Sequence, residues 1–594
     1  MEVSLFQTKG WRNDRGRKFI GKDYLFDISN YNFDDVIGCS RINFPNVVYN
    51  ISGTVGIDGV YEFRYIGPLS TLIKENIVVV DGKVIKNFLG TSVIMHEGLT
   101  AGHKCTFAVL NDKLFISNGY DDVLVYDGTY TYEMGAPLAK NLGATGVLTG
   151  AYYYAITYEK DGVELVTGAV SNTVNPSSNS ITVTCPIGTA GITDRKLYRT
   201  EAGGVQLKLL TTLGDNVTTT YVDNIADGSL GAGIPSINSE APKPKFITVI
   251  NERLVGVGVT RRPNYLYYSE TEIESLFATI GVTDVSGQGN DNTGLTGMAE
   301  DYDLIVVFSE KRIYTVDLSG ETASVRQTTS NVGCLDGHSI AKVPPNLTFK
   351  GGLMFVSNEY DVRVFNGNLA VNLSTSFDNL ATENFSAQLN PVAMRLNMEN
   401  EELEGRFFDY KYHLIIDKEI YVYDIRIMGW SKYFIKTASY SPEYRKFGIL
   451  GDKFYIGQKN TGIVEEMYQT ELYRDEPVNA FFETAELMVG SNYKYWKDLV
   501  IYYGNTGNVQ QNVVVTPDNN SNLSKTLSFA LTADGFDSNY FSPAFFETAT
   551  NTDDYKVGHI NEYARWMRFR FECNSKFNFR GFKMTVDGIT NKEE

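Results

Sequence analysis

The feature that most constrains the fold is a hairpin that the chain contains twice, at widely separated positions. Residues Leu114–Gly128 read LFISNGYDDVLVYDG and residues Met354–Gly367 read MFVSNEYDVRVFNG, and the two align with a one-residue gap at Asp122. Both alternate in the manner of β-strands, and both end in a turn dipeptide, Asp-Gly or Asn-Gly. A supersecondary unit that recurs along one chain indicates a repeat architecture.

Looser copies of the same pattern occupy the rest of this region. An isolated hairpin is marginally stable in water, so each copy needs neighbours against which to bury a face. A ring of such units leaves only short, protected edges, and the sequence therefore predicts a β-propeller of about six to eight blades. The alternative is a run of unrelated meanders in two sandwiches. The looser copies lie at residues 76–88, 252–270, 304–318, 412–425 and 451–468.

Composition supports a mainly β chain and argues against a nucleic-acid reader. Tyrosine (38 residues) and phenylalanine (34) are abundant and favour strands. The formal charge is −18, whereas a DNA reader needs a basic face. An acidic surface suits a passage along which DNA slides without sticking. Five dispersed cysteines argue against a disulfide framework and favour a reducing cytosol. No stretch of eighteen apolar residues and no signal-like apolar segment is evident, so no stable membrane insertion is expected.

Changes in composition and strand pattern along the chain predict five regions. Small-residue and proline-rich linkers, GAPLAKNLGATG and IPSINSEAPKPK, flank a segment of about 100 residues, the size of an immunoglobulin-like sandwich. Within it, Tyr152, Tyr154, Ile156 and Tyr158 alternate onto one face. The predicted regions are an N-terminal arm (1–45), propeller blades (46–135), an inserted immunoglobulin- or fibronectin-like domain (136–240), further blades (241–475) and a C-terminal β-sandwich (476–594).

Two short helices and one loop interrupt the strands in the second set of blades. Ser269 and Glu272 form a capping box before an apolar helical pattern that ends at Gly281, and a second short helix is predicted around 377–385. The polar, glycine-rich segment that follows the first helix is a candidate gate loop, because long irregular segments tend to be functional. Its candidate residues are Asp284, Gly287, Gly289, Asp291 and Gly294.

The arm carries the only dense basic cluster. Basic residues interleaved with aromatic residues can contact nucleic acid or an acidic partner, and the alternative is an arm that forms salt bridges with its own acidic protein. The candidate contact residues are Arg12, Arg15, Arg17 and Lys18.

No catalytic or metal-binding pattern stands out. His96, His103 and Cys105 fall close together, but their spacing fits no standard zinc site. The 284–294 segment lacks the terminal glutamate of a calcium loop. Carboxylate pairs such as Asp121/Asp122 lie at turns, where aspartate is favoured for backbone reasons. The chain is therefore predicted to have no cofactor, no metal and no enzymatic activity.

The segment from Phe246 to Leu318 resembles the propeller segment of tail hub and nozzle (tail tubular B-like) proteins of short-tailed bacteriophages. In that pattern a Tyr-Ser pair is followed by a Gly-rich loop and then by a characteristic pair of strands. The inserted domain and the ending RFRFECNSKFNFRGFKM are also similar to modules of phage virion proteins. The residues that carry the resemblance are Tyr268, Ser269, Gly294, Leu295, Leu304, Val307, Phe308, Glu310, Ile313 and Tyr314.

The resemblance implies a structural virion protein, assembled in the host cytoplasm and located in the tail. Its partners would be further copies of itself in a ring (a hexamer in such proteins), portal-side adaptor proteins, tail fibres, and genomic DNA in transit through the channel. It would extend the channel, dock fibres and gate genome release. The alternatives are a receptor-binding or polysaccharide-degrading tail protein and a bacterial surface adhesin.

Overall fold

The structure is a computed structural model of the 594-residue chain, and the description is confined to part of it. Two compact units make up the chain, one formed by Ser52–Gly337 with Gly448–Gly451 and the other by the remainder. The described residues are 2–5, 25–33, 39–51, 55–67, 70–188, 191–237, 241–269, 281–287, 293–320, 322–346, 349–373, 391–398, 402–484, 486–488, 493–503, 509–518, 520–531, 554–573 and 578–588.

The unit Ser52–Gly337 contains four small antiparallel sheets, each of four strands that pair in chain order. We name them the first to fourth blades. Their strands are Ile57–Ile66, Leu72–Val80, Lys83–Lys86 and Val93–Glu97 in the first; Thr106–Leu110, Lys113–Ser117, Leu124–Tyr126 and Thr131–Glu133 in the second; Phe246–Ile250, Arg253–Val257, Tyr265–Tyr268 and Gly281–Asp284 in the third; Leu295–Asp301, Leu304–Ser309, Ile313–Asp317 and Ser324–Gln327 in the fourth.

The blades of this unit pack against one another through apolar faces. One buried cluster joins Phe63 and Ile77 of the first blade to Leu114 and Ile116 of the second. Similar clusters join the second blade to the third and the third to the fourth. The middle strands are buried on both faces, as in Leu304–Ser309 (LIVVFS), which explains why they read as continuous apolar runs.

The other unit contains three more sheets of the same kind, the fifth to seventh blades. The seventh blade takes its fourth strand, Phe44–Ile51, from a position ahead of the first blade in the sequence. The strands are Ala341–Val343, Gly352–Val356, Val362–Phe365 and Ala370–Asn372 in the fifth; Glu404–Phe408, Lys411–Ile416, Glu419–Asp424 and Gly429–Tyr433 in the sixth; Tyr444–Leu450, Lys453–Gln458, Gly462–Thr470 and Phe44–Ile51 in the seventh.

A small β-sandwich interrupts the chain between the second and third blades. Tyr152, Tyr154, Ile156 and Tyr158 all lie in its core, as the alternation predicted. Its strands are Leu138–Lys140, Ile181–Thr184 and Thr220–Asp223 in one sheet, Thr145–Thr149 and Ser177–Asn179 in a two-stranded ribbon, and Val163–Leu165, Tyr154–Lys160, Ile192–Arg199 and Lys208–Leu213 in another sheet. A short 3-10 helix, Asp227–Ser229, follows.

Two six-stranded sheets form the C-terminal sandwich, and aromatic residues such as Phe571 and Phe582 stack between them. One sheet pairs Tyr31–Phe33, Cys39–Arg41, Asn578–Gly588, Lys494–Tyr503 and Asp554–Ala564 in order, with Glu2–Leu5 on Asn578–Gly588. The other pairs Leu25–Ser29, Ala480–Thr484, Trp566–Cys573, Val509–Pro517 and Lys525–Leu531, with Leu487–Met488 on Trp566–Cys573.

The sheets correct the expectation of a separate N-terminal arm. Three of the described strands within residues 1–45 hydrogen-bond to C-terminal strands: Glu2–Leu5 and Cys39–Arg41 to Asn578–Gly588, and Leu25–Ser29 to Ala480–Thr484. Asn30, buried and at φ 62°, donates from its side chain to the carbonyls of Phe434 and Asn479. This segment was misassigned because its own composition does not reveal that its partners lie at the other end of the chain.

The fold class is therefore mainly β: a β-propeller with an inserted β-sandwich and a C-terminal β-sandwich. Seven blade-type sheets are present in the described residues, within the predicted range. Both copies of the repeated hairpin supply the second and third strands of a blade, the second and the fifth. Helical structure in the described residues comprises the short helix Pro391–Met398 and the 3-10 turns Asp227–Ser229, Gly337–Ser339 and Ser521–Leu523. None of these described helices is long enough to cross a membrane.

Candidate functional site

Only some of the sequence-predicted site residues belong to the described part of the chain. Arg12, Arg15, Arg17 and Lys18 lie outside the residues that the structure describes, as do Gly289 and Asp291. The two predicted helices, at 270–280 and around 377–385, lie outside them too.

Three of the candidate gate residues are described and take part in the third and fourth blades. Asp284 ends a strand and accepts hydrogen bonds from the Asn264 amide (2.9 Å) and from the Gly287 N–H (2.8 Å). A side chain at Gly287 would collide with this carboxylate, since a Cβ there would stand 2.2 Å from Oδ2. The carbonyl of Gly294 accepts the Glu310 N–H at 3.2 Å. These three residues close a turn and join two strands.

The residues weighed for zinc do not form a metal site. Across the described part of the chain, no group of three or more His, Cys, Asp or Glu side chains is placed to hold a metal ion. The His103 ring stacks on Tyr120 with the ring centroids 3.6 Å apart. Cys105 is buried and is not in a disulfide, and the same holds for Cys185, Cys334 and Cys573.

The aspartate of the repeated hairpin has a structural role in both copies. Asp121 accepts hydrogen bonds from the N–H of Thr100 (2.6 Å) and from the Asn118 amide (2.7 Å), tying the second blade to the segment that leaves the first. Burial raises the pKa of Asp121, but these hydrogen bonds outweigh it, so the pKa is lowered overall. Asp361 is 3% exposed and accepts bidentate bonds from Arg363, both 2.8 Å long.

One concave feature of the described residues is a groove of about 800 Å³. We call it the insert groove, because three parts of the chain converge on it: the last strand of the first blade, the end of the second blade and a segment of the inserted sandwich. This volume is within the range of small-molecule sites, roughly 300–1,000 Å³. Its lining residues are Ile94, Met95, His96, Glu97, Thr129, Tyr130, Thr131, Tyr132, Glu133, Asn141, Val170, Ser171, Asn172, Thr173, Val174 and Asn175.

Buried hydrogen bonds hold the sandwich side of the insert groove. The Asn172 side chain accepts the Ala139 N–H (3.0 Å) and donates to the Ala139 carbonyl (2.9 Å). The Ser171 hydroxyl accepts the Tyr154 N–H at 2.9 Å. Backbone bonds of 2.9 Å in both directions join Tyr152 and Val174. This wall is fixed before any ligand arrives.

Glu133 links the second blade to the inserted sandwich across the insert groove. Its carboxylate accepts the Val170 N–H at 2.8 Å. Burial raises the pKa of Glu133, and burial lowers the pKa of His96, which also lines the groove. Both shifts favour the neutral form of the group, and the Glu97 carboxylate, another lining group, lies 3.5 Å from the Lys83 ammonium.

Among the residues that line this groove, the sequence patterns single out only His96. Its walls come from residues 94–97, 129–133, 141 and 170–175, which no local pattern connects. A local signal existed for a different buried network. Arg195 and Arg199 lie four apart on one strand and so share a face, and both are completely buried. Arg199 contacts Asp223 at 2.6 Å and Asp227 at 2.8 Å.

The chain was compared with protein families, curated proteins and solved structures. No family model matches the chain, and no curated protein does. Among solved structures, the chain is similar to the WD40 domain of Neurospora crassa Pan2, at 8% identity and a TM-score of 0.26, covering 72% of this chain and 96% of that one. It is also similar to Kluyveromyces lactis Hsv2, at 9% identity and a TM-score of 0.23, covering 60% and 93%.

A third similar structure is an exo-β-1,3-galactanase from Phanerochaete chrysosporium in complex with galactose. The identity is 9% and the TM-score 0.16, covering 67% of this chain and 95% of that one. Likenesses this weak say nothing about what this chain binds or does. The class of the protein, a β-propeller with two appended sandwiches, rests on the order of its own sheets.

Proposed function

We propose that this chain is a structural component of a short-tailed bacteriophage tail, of the hub or nozzle type, which assembles with copies of itself around the DNA channel. The observation that carries the proposal is the resemblance of residues 246–318 to that class of protein. These residues supply the third blade and the first three strands of the fourth, and Val307, Phe308, Ile313 and Tyr314 lie in the blade core.

The use of the polar residues supports the same proposal. Acidic side chains that a search for chemistry would pick out are committed to holding strands together. Asp121, Asp284 and Asp361 each stabilise a turn or a blade junction. In the seventh blade, Glu465 is completely buried and accepts hydrogen bonds from Tyr473 (2.6 Å) and Gln458 (2.9 Å). A protein that bears mechanical force in an assembly needs such internal hydrogen bonds to hold its strands together.

The net charge of −18 per copy fits a conduit for DNA. Carboxylates around a wide bore repel phosphates weakly beyond about one Debye length, roughly 8–10 Å, so DNA finds no binding site on the wall. The proposed partners are portal-side adaptor proteins above, tail fibres outside and genomic DNA in transit.

The proposal is tested on particles and on the purified chain. We expect mass spectrometry of purified virions to detect this polypeptide, electron microscopy to place it as a ring in the tail, and native mass measurement to find a multiple of the 66.3 kDa subunit. Particles that lack the polypeptide would refute a virion role. A trimer at the tip of a fibre would instead favour a receptor-binding tail protein.

A further inference from the structure

We propose that the insert groove is a binding site for an uncharged oligosaccharide. The proposed site does not require a particular location of the protein, because its evidence is the set of side chains that line the groove.

The chemistry of the lining favours a ligand rich in hydroxyl groups. Among the lining residues are three threonines, three asparagines, one serine and two tyrosines. Amides and hydroxyls both donate and accept hydrogen bonds, as sugar hydroxyls do, and tyrosine combines an apolar ring with a polar tip. A few polar groups placed beside aromatic rings are the usual make-up of a site that fixes the orientation of a small ligand.

Several of these groups face solvent. Thr129, Asn141, Thr173 and Asn175 are exposed, and Tyr130 and Tyr132 are half-buried. Other lining residues are already engaged in the walls, as the hydrogen bonds of Ser171 and Asn172 demonstrate. Hydrogen bonds within the protein thus hold one wall of the groove, and other lining residues offer accessible donors and acceptors. Binding a ligand would therefore cost little conformational entropy.

The charges of the groove argue against a polyanion. Glu97 and Glu133 line it, and none of the described residues that line it is a lysine or an arginine. Lys140, whose ammonium stands 5.8 Å from the centre of the Tyr130 ring, lines the adjacent cavity. Nucleic acid, phosphate or an acidic polysaccharide would find no lysine or arginine among these lining residues, whereas a neutral glycan does not need one.

The residue types that line the groove also suit an oligosaccharide better than an apolar peptide. Four of its lining residues, Ile94, Met95, Val170 and Val174, are aliphatic or methionine, and the rest are polar or aromatic. Peptides that add to a sheet edge depend on apolar pockets for alternate side chains. Here the surface available for contact is mostly amide, hydroxyl and tyrosine.

The test uses the full chain and three neutral probes: maltohexaose, laminarihexaose and chitohexaose. Saturation-transfer NMR and calorimetry would measure binding, with a heparin hexasaccharide as the anionic comparison. We expect at least one neutral probe to bind and heparin not to bind. Thr173→Trp, which fills the groove from an exposed position, should weaken binding at least about tenfold, and Asn175→Ala several-fold.

Thr220→Trp is the matched control, because Thr220 is an exposed threonine on the inserted sandwich that does not line the groove. It should leave the affinity within about twofold of the unmodified chain. Failure of all three neutral probes to bind would overturn the proposal. So would heparin binding, or sugar binding that Thr173→Trp and Asn175→Ala leave unchanged. None of these results would bear on the presence of the chain in virions.

Discussion

At the scale of single residues, the fold buries titratable groups that no sequence pattern marks. His413 lies on a middle strand of the sixth blade and is fully buried. Aromatic rings surround it, with the Phe454 ring centre 4.8 Å away, and its Nε2 contacts the Tyr468 hydroxyl at 2.5 Å. Such an imidazole has no water with which to stabilise a positive charge.

His413 should make the protein sensitive to acid. Burial, with a smaller effect of the Lys411 charge, lowers the pKa of His413 to about 3, whereas an unfolded histidine titrates near 6.5. The unfolded chain therefore binds a proton in this range and the folded chain does not. Stability from this residue is present above about pH 6.5 and is lost as pH falls towards 3, by about 2 kcal/mol between pH 7 and pH 5.

The change His413→Phe removes this titration and keeps an aromatic ring. We expect the variant to be less stable at pH 7, because the Tyr468 hydroxyl loses its contact with the imidazole, yet to lose less stability on going to pH 5. Calorimetric unfolding at both values measures this difference. Parallel losses in the two proteins would show that His413 does not carry the acid sensitivity.

At the scale of elements, the strand Phe44–Ile51 depends on the close approach of Gly462. A Cβ at Gly462 would stand 2.2 Å from Ile51 Cγ2 and 2.5 Å from the Ile51 carbonyl oxygen. Backbone atoms cannot move aside cheaply, so Gly462→Ala should destabilise the seventh blade by about 1–3 kcal/mol.

Gly90→Ala is the control for this substitution. Its nearest neighbour would be the Asn87 carbonyl oxygen, 3.9 Å from the new Cβ, so we expect a change within about 0.5 kcal/mol. Thermal unfolding followed by calorimetry compares both variants with the unmodified chain. Equal midpoints for Gly462→Ala and the unmodified chain would mean that the strand tolerates the extra methyl group.

Elements differ in how far the sequence could predict them. The hairpin at 412–425 was predicted because its alternation is local, and the structure forms it from Lys411–Ile416 and Glu419–Asp424. The pairing of Phe44–Ile51 with Gly462–Thr470 was not predicted, because hydrogen bonds between remote strands leave no local pattern. The same reason hid the insert groove. On the C-terminal strand Trp566–Cys573, Arg568 and Arg570 alternate onto one face, and both pair with Glu483.

At the scale of the whole molecule, the inserted sandwich has a core of its own. Every buried member of that core lies between Ala139 and Leu213. Residues 136–237 should therefore fold when expressed alone and unfold cooperatively, as small single domains do. Circular dichroism and calorimetry would measure this. A spectrum typical of an unfolded chain would show that the sandwich needs the blades.

Two variants of the isolated sandwich sharpen that test. Leu197 is completely buried, and Leu197→Ala should cost about 2–5 kcal/mol. Val205 is 86% exposed, and Val205→Ala should change stability by less than about 0.5 kcal/mol. Similar effects of the two changes would indicate that the isolated segment lacks the core seen in the full chain.

The pairing of Glu2–Leu5 with Asn578–Gly588, and of Phe44–Ile51 with Gly462–Thr470, has a consequence for biosynthesis. Each of these earlier strands must wait for a partner that is synthesised much later in the chain, on the order of a minute later at about 5–20 residues per second. During that delay they present unsatisfied strand edges, which invite pairing with other nascent chains. A premature stop codon late in the message would leave that exposure permanent, so shortened products should aggregate even when most blades have been translated.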